Sequence, residues 1–239
     1  GDFWYSARVA VRPLPTIYIF QHIPKCGGLS FARAVRKWFS IHGDWGESYA
    51  TAKQQAEFAR RRLDPGALPH NAMVHGHFVS DGIRPHERYG DLIAQGNCRL
   101  LVLLRDPLER AVSAFYHREK VGRPWKAGIE DYVLRQANGI ARSLGCNHAN
   151  WRGHLDGYFF IGMTEWMQAS VDLLAELTGN PRRPVTHINT SPRKPHEFGP
   201  EFLEEFRHYA ALDYEIVEYA RKWMAVESAP WPDIAGRLM

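Results

Sequence analysis

The alternation of short apolar runs with stretches of helical periodicity predicts the secondary structure of this chain. Apolar runs rich in β-branched and aromatic residues predict strands at residues 17–20, 72–74, 99–104, 158–162 and 185–188. Apolar residues spaced three or four positions apart predict helices at residues 30–39, 50–63, 107–116 and 168–177, and one helix or a helix pair at 200–224. Residues 41–49 are expected to form a loop. Strands that alternate with helices are typical of an α/β fold with a mainly parallel sheet.

The first predicted strand leads into a glycine turn. Pro24 lacks an N–H and cannot extend a strand, whereas Gly27 and Gly28 permit backbone angles that other residues resist. Helical spacing resumes at Ser30, which leaves Lys25 within the turn. Such a turn directs main-chain N–H groups and the positive end of a helix to one point, which suits an anion, most simply a phosphate. A plain strand-to-helix turn with a solvated lysine is the alternative.

A second polar cluster follows the strand predicted at residues 99–104. Arg105 comes directly after this buried strand, where an unpaired guanidinium is costly. It therefore needs an anionic partner, which is either a ligand or an internal carboxylate, Asp106 or Glu109. Ser113 lies two turns along the following helix, where its hydroxyl could contact the same anion.

Two histidines follow the strand predicted at residues 72–74. In an extended chain His75 and His77 share a face, because side chains alternate with a period of two. An imidazole with a pKa of about 6.5 can accept a proton at neutral pH, so each is a candidate general base. A structural role stays open for one of them, and His22 is expected to pack or cap near the turn. Because ligands of parallel α/β sheets bind at the carboxyl ends of the strands, we expect the three clusters to meet at one edge.

The composition narrows the class of protein. The chain has 239 residues, of which 45% are hydrophobic and 23% charged, as is typical of a single globular domain. Its net charge of +4 suits an anionic ligand, but no basic block is long enough to indicate nucleic-acid binding. Three separated cysteines without metal-ligand spacing favour a reducing compartment and no metal site. No apolar run is long enough for a membrane span, and no signal peptide is recognisable.

Two motifs resemble those of the sulfotransferases that use 3′-phosphoadenosine 5′-phosphosulfate (PAPS). Residues 22–30, HIPKCGGLS, are similar to the 5′-phosphosulfate loop of carbohydrate sulfotransferases. Residues 104–115, LRDPLERAVSAF, are similar to their 3′-phosphate motif, Arg-Asp-Pro-x-x-Arg-x-x-Ser-x-Phe/Tyr. The segment 74–78, VHGHF, resembles the His-Gly-His segment of the heparan/uronyl 2-O-sulfotransferase branch. Weaker similarities lie at residues 160–165 and 187–191.

This resemblance implies a fold, a reaction and a set of site residues. The fold would be a P-loop-like three-layer α/β domain over residues 1–239, with an N-terminal arm at 1–15 and an acceptor-side helical insertion at 118–157. The catalytic residues would be Lys25, at the leaving group, and a base, for which His77 is slightly preferred to His75. Residues expected to contact PAPS, or its product adenosine 3′,5′-bisphosphate (PAP), are Lys25, Cys26, Gly27, Gly28, Leu29, Ser30, Arg105, Ser113, Ser191 and Arg193. Leu29 departs from the Thr or Ser of many relatives, which removes one possible hydroxyl contact.

The sequence also leads to expectations about the acceptor and about the cellular location of the protein. The acceptor would be a small molecule or a glycan, with a carbohydrate hydroxyl favoured, and Trp45, Trp125 and Trp151 in predicted loops could stack on it. No nucleic acid, metal or membrane span is expected. A cytoplasmic location is favoured, or the Golgi lumen if an N-terminal anchor precedes Gly1 in the natural protein.

Two other functions stay open on the sequence. One is a P-loop phosphoryl transferase, although the chain lacks the Walker A spacing and Gly-x-Gly-x-x-Gly. The other is a non-catalytic module that binds a nucleotide or an anionic glycan through a basic cleft.

Overall fold

The computed structural model describes residues 16–46, 51–186 and 196–227, which form an α/β fold around a five-stranded sheet. The strands are β1 Ile17–Gln21, β2 Ser40–Gly43, β3 Ala72–Gly76, β4 Cys98–Leu104 and β5 Phe160–Met163. They are ordered β2-β3-β1-β4-β5, and each neighbouring pair is parallel. The expected fold class, a mainly parallel sheet flanked by helices, is confirmed.

The described residues form helices between and after the strands. They are α1 Gly28–Val35, α2 Ala52–Arg60, α3 Pro85–Arg88, α4 Gly90–Ala94, α5 Pro107–Lys120, α6 Ile129–Arg135, α7 Gly139–Leu144, α8 Trp151–Asp156, α9 Met167–Leu177, α10 Pro200–Tyr209 and α11 Ala211–Glu227. Asp106 caps α5, since its carboxylate accepts hydrogen bonds from the main-chain N–H groups of Leu108 and Glu109. No helix in these described ranges has the length and apolar character needed to cross a membrane.

The centre of the sheet is buried on both faces, as its continuous apolar runs predict. Every residue of β1 is buried, and Ile19 pairs with Val74 on one side and Leu100 on the other. Parallel register then aligns the carboxyl ends of the strands, with Gln21 beside Gly76 and Val102. The segments that leave β1, β3 and β4 therefore begin at one edge of the sheet.

A buried polar network ties the helices at 129–156 to this edge. The amide of Gln21, at the end of β1, donates to the carbonyl oxygens of Phe78 (3.1 Å) and Ser143 (2.9 Å). The hydroxyl of Tyr158 donates to the same side chain. Helices α6, α7 and α8 account for the helical character predicted at 118–157, while the acceptor-side role of that segment stays a prediction.

Several element boundaries differ from the prediction. Strand β2 lies where a loop was expected. The strand was not predicted because its sequence, SIHG, lacks an apolar run and lies partly exposed at the edge of the sheet. Helix α1 ends at Val35 rather than near residue 39. Of the two possibilities at 200–224, the structure has the helix pair, α10 and α11, which meet at Ala210. Residues 185 and 186 form no strand, and the rest of that predicted strand lies outside the described residues. The arm at 1–15 lies outside them as well.

Candidate active site

The turn after β1 has the backbone geometry of a tight strand-to-helix connection. The main-chain N–H of Cys26 donates to the carbonyl of Ile23 (3.2 Å), and that of Phe31 donates to Gly27 (3.1 Å). Lys25 and Gly27 have φ angles of 71° and 74°, in the left-handed region. Among the described residues no side chain caps the N-terminus of α1, whose first amides and dipole therefore suit an anion.

Gly27 and Gly28 are also required by close packing on either side of the turn. A Cβ on Gly28 would lie 2.2 Å from Cδ2 of His22, and one on Gly27 would lie 3.0 Å from Cγ2 of Thr164. The Thr164 hydroxyl lies 2.7 Å from the carbonyl oxygen of Cys26 and 2.9 Å from that of Leu104. Thr164 therefore links the turn to the end of β4. It was not among the predicted site residues, and the weaker similarity at residues 160–165 was the only sign of it.

The predicted donor contacts in the turn differ in their environment. The thiol of Cys26 is buried on the inner side of the turn. Burial raises its pKa to about 12, so the thiol is neutral at pH 7. Leu29, in contrast, is 54% exposed in the first turn of α1, and Ser30 is buried. Contacts of these residues with a nucleotide stay predictions.

Arg105 adjoins the turn directly. Its Nη1 donates to the carbonyl oxygen of Lys25 (3.2 Å), and its Nη2 donates to the carboxylate of Glu109 (3.2 Å). Asp106 and Glu109 were the two candidates for the internal carboxylate that pairs with Arg105. The structure pairs Glu109 with it, whereas Asp106 caps α5. Nε of Arg105 is buried without a hydrogen-bond partner among the described residues, and it lies 3.9 Å from Oε1 of Glu165. Arg105 thus has two carboxylate ion-pair partners, Glu109 and Glu165, and an N–H donor without a hydrogen bond among the described residues, through which it can also bind a ligand anion.

Helix α5 carries two further polar groups, Ser113 and His117. Ser113 is half-buried on this helix, and His117 follows it one helical turn later. Burial lowers the pKa of His117, and the charge of Lys25 adds to this effect. His117 was missed from the sequence because a histidine on an exposed helix turn carries no signal. Ser191 and Arg193 lie outside the described residues, so their predicted contacts stay untested.

Three histidines lie together on the other side of the turn. His75 Nε2 is 3.2 Å from His22 Nδ1, so one imidazole donates to the other, and the His77 ring centroid is 5.0 Å from that of His22. Burial, followed by the neighbouring imidazoles, lowers the pKa of His22 to about 3 and that of His75 to about 4. Burial also lowers the pKa of His77. All three are therefore neutral at pH 7, and the half-buried His77 is more accessible than His75, which is 4% exposed.

A buried ion pair fixes the segment that follows β2. The Asp44 carboxylate accepts from Nε (2.8 Å) and Nη2 (3.0 Å) of Arg88, and from the hydroxyl of Tyr89. Asp44 and Arg88 are each 5% exposed, and the next residue, Trp45, packs against the histidines. Asp44 and Arg88 are far apart in the sequence, so no local sequence motif predicts their ion pair.

The three tryptophans expected in loops have different surroundings. Trp45 is 41% exposed, whereas Trp125 is half-buried and its indole N–H donates to Asp131 (2.7 Å). Trp151 is not in a loop but begins α8, where it is buried against Tyr219. Its predicted place in a loop is therefore wrong, and its buried indole has no open face for a sugar ring. In the part of the chain that the structure describes, no group of three His, Cys, Asp or Glu side chains is arranged to hold a metal ion.

Comparison with known proteins identifies the fold. No protein-family model matches the chain, and no curated protein matches it at a significant level. Among solved structures, the chain is similar to the crystal structure of a sulfotransferase from Alicyclobacillus acidocaldarius, with 18% sequence identity and a TM-score of 0.50. The match covers 87% of this chain and 96% of that one. At this identity the similarity establishes a shared fold.

Proposed function

We propose that this protein is a sulfotransferase that moves the sulfuryl group of PAPS to an acceptor hydroxyl on a carbohydrate, without a metal ion. One observation carries the proposal. The turn that holds Lys25 lies between a cluster of neutral histidines on its β3 side and the guanidinium of Arg105 on its β4 side. An anion site thus has a potential proton acceptor on one side and a second anion-binding group on the other.

The donor would bind across the ends of β1 and β4. The 5′-phosphosulfate would accept hydrogen bonds from the main chain of residues 27–30 at the uncapped N-terminus of α1. Arg105 and Ser113 would bind the 3′-phosphate, and the unused Nε of Arg105 supports this role. Charge-assisted hydrogen bonds of this kind contribute roughly 1.5–3 kcal/mol each.

In the reaction, the acceptor oxygen forms a bond to sulfur while the bond from sulfur to the bridging phosphate oxygen breaks. Lys25 would contact that bridging oxygen, where negative charge increases as PAP leaves. His77 would take the proton of the acceptor hydroxyl, since it is neutral at pH 7 and the more accessible of the two candidates. His75 would orient the cluster through its hydrogen bond with His22. Positioning and charge stabilisation supply most of the rate enhancement in such in-line transfers.

Other observations support the proposal. The fold is shared with a protein described as a sulfotransferase, and the two quoted motifs fall on the turn and on the start of α5. The three cysteines are free, which fits the reducing cytoplasm.

Calorimetry with PAP and an activity assay test the proposal together. We expect PAP to bind in the presence of EDTA and labelled PAPS to sulfate at least one member of a panel of glycans, lipids and phenols. His77→Ala should reduce turnover by roughly 10²–10⁴-fold with unchanged PAP affinity, whereas His70→Ala, at an exposed position, should change neither. PAP binding without transfer to any acceptor would favour the binding module, and Mg²⁺-dependent phosphoryl transfer from ATP would favour the kinase-like alternative. Absence of PAP binding would reject the proposal.

A further inference from the structure

The indole of Trp45 forms an exposed aromatic shelf beside the candidate base. Its ring centroid is 4.8 Å from that of His77 and 4.6 Å from that of His75, in edge-on orientations of 82° and 67°. Even so, 41% of the residue is exposed. A large aromatic ring that stays accessible beside two imidazoles, which are candidate proton acceptors, is a candidate contact surface for a ligand.

The surrounding structure holds this indole in place. The ring folds back across Gly43, where a Cβ would lie 2.8 Å from both Cδ1 and Nε1 of Trp45. The main-chain N–H of Asp44 donates to the carbonyl of His75 (2.9 Å), and the Asp44 carboxylate is bound by Arg88. The shelf is therefore preorganised, which lowers the entropic cost of ligand binding.

The strand order separates the shelf from the nucleotide. Trp45 follows β2, whereas Arg105 follows β4, and β3 and β1 lie between these strands. Three interstrand spacings place the two strand ends roughly 14 Å apart. A 3′-phosphate at Arg105 directs the adenosine to the β4 side, away from Trp45. The ring bound at the shelf is thus the acceptor and not the adenine.

We propose that Trp45 is the acceptor-binding residue and that it stacks on the apolar face of a sugar ring, so that a ring hydroxyl is presented to His77. This inference rests on the proposed function and specifies its acceptor subsite. The ring edges beside the indole belong to imidazoles, which can hydrogen-bond with the hydroxyl groups around a sugar. A wholly apolar acceptor would instead require an enclosed apolar pocket, and this indole is open.

The test compares Trp45→Ala and Trp45→Phe with Tyr209→Ala, which removes an exposed aromatic side chain at the end of α10. Initial rates are measured with labelled PAPS and the oligosaccharide that the wild-type protein sulfates fastest in the panel, and PAP affinity is measured by calorimetry. We expect Trp45→Ala to raise the acceptor KM about tenfold or more, and Trp45→Phe to raise it less. PAP affinity should stay within twofold of wild type in both, and Tyr209→Ala should leave the acceptor KM unchanged.

Three results would overturn the inference while leaving the proposed function intact. They are an unchanged acceptor KM in Trp45→Ala, a loss of PAP affinity in that variant as large as the rise in its acceptor KM, and a wild-type preference for phenols over every glycan. A wild-type protein that neither binds PAP nor transfers sulfate would instead reject the proposed function itself, and the acceptor subsite with it.

Discussion

Lys25, for which we propose a contact with the leaving group, has an unfavourable backbone conformation. Its φ of 71° lies in the left-handed region, which costs a non-glycine residue about 1–2 kcal/mol. The sequence places a lysine rather than a glycine at this position, and the carbonyl oxygen of the same residue is bound by Arg105. We interpret the strain as the cost of projecting an amine from the tightest part of the turn.

Two substitutions at this residue separate the backbone from the amine. Lys25→Ala and Lys25→Gly both delete the amine, and both should abolish sulfuryl transfer if the proposed function is correct. Only glycine adopts the left-handed conformation without strain, so Lys25→Gly should be more stable than Lys25→Ala by about 1 kcal/mol. Urea unfolding of both variants measures this difference, and equal midpoints would show that the residue does not keep its positive φ in solution.

At the scale of single elements, the start of α1 depends on a close approach between a glycine and a histidine. A Cβ on Gly28 would overlap the ring of His22, which cannot move freely because it is hydrogen-bonded to His75. Gly28→Ala should therefore lower the unfolding free energy by about 1–3 kcal/mol, as overpacking does. It should also weaken PAP binding.

A glycine in another helix provides the control. Within the described residues, no atom lies within 4 Å of a Cβ built on Gly153 in α8. Gly153→Ala should therefore stabilise the protein by about 0.5–1 kcal/mol. Adding His22→Ala to Gly28→Ala should recover part of the lost stability, and a purely additive double variant would contradict the steric explanation.

The Asp44–Arg88 pair joins the end of β2 to α3, and its guanidinium also donates to the carbonyl oxygen of Ala59 in α2 (3.1 Å). Removing one partner leaves a buried charge unpaired, so Arg88→Met should cost about 3–5 kcal/mol of unfolding free energy. Arg62→Met breaks the exposed ion pair with Asp91 and should cost far less. Chemical unfolding compares the two, and similar losses would mean that water reaches the Asp44–Arg88 pair.

At the scale of the whole molecule, the sequence predicts the centre of the fold better than its edges. Strands β1, β3 and β4 are buried and apolar, so their composition alone identifies them. Strand β2 was missed because it is an edge strand that takes its conformation from pairing with β3, and its sequence, SIHG, has only one large apolar residue. The glycine turn and Arg105 were found as candidates because each lies within a few residues of a recognisable strand.

The remaining parts of the candidate site depend on contacts between distant segments. Thr164 bonds to the turn from 138 positions away, and Trp45 meets His77 only because β2 and β3 are neighbours. The hydrogen bond between His22 and His75 likewise follows from the pairing of β1 with β3. No periodicity or motif along the chain encodes such contacts, because they follow from sheet order.

The buried histidines make the stability of the whole protein depend on pH. The pKa of His22 is lowered to about 3, by burial first and then by His75, His77 and Lys25, and that of His75 to about 4. In the unfolded chain both would titrate at about 6.5. Below that pH the unfolded state binds more protons than the folded state, so stability rises with pH. The stabilisation from the neutral imidazoles is complete above pH 6.5 and decreases as the pH falls from there toward 4.

We therefore expect the urea midpoint of unfolding to be lower at pH 5 than at pH 7.5. Most carboxylates ionise below this window, since their ordinary pKa values lie at about 4. Burial raises the pKa of Glu165 and Asp213, and their contribution to the pH dependence has the opposite sign. His22→Asn retains a polar side chain without a group that titrates there, so it should reduce the dependence on pH. His70→Asn, at an exposed position, should leave the wild-type dependence unaltered. A His22→Asn variant with the full wild-type loss between pH 7.5 and pH 5 would show that the acid sensitivity arises outside this cluster.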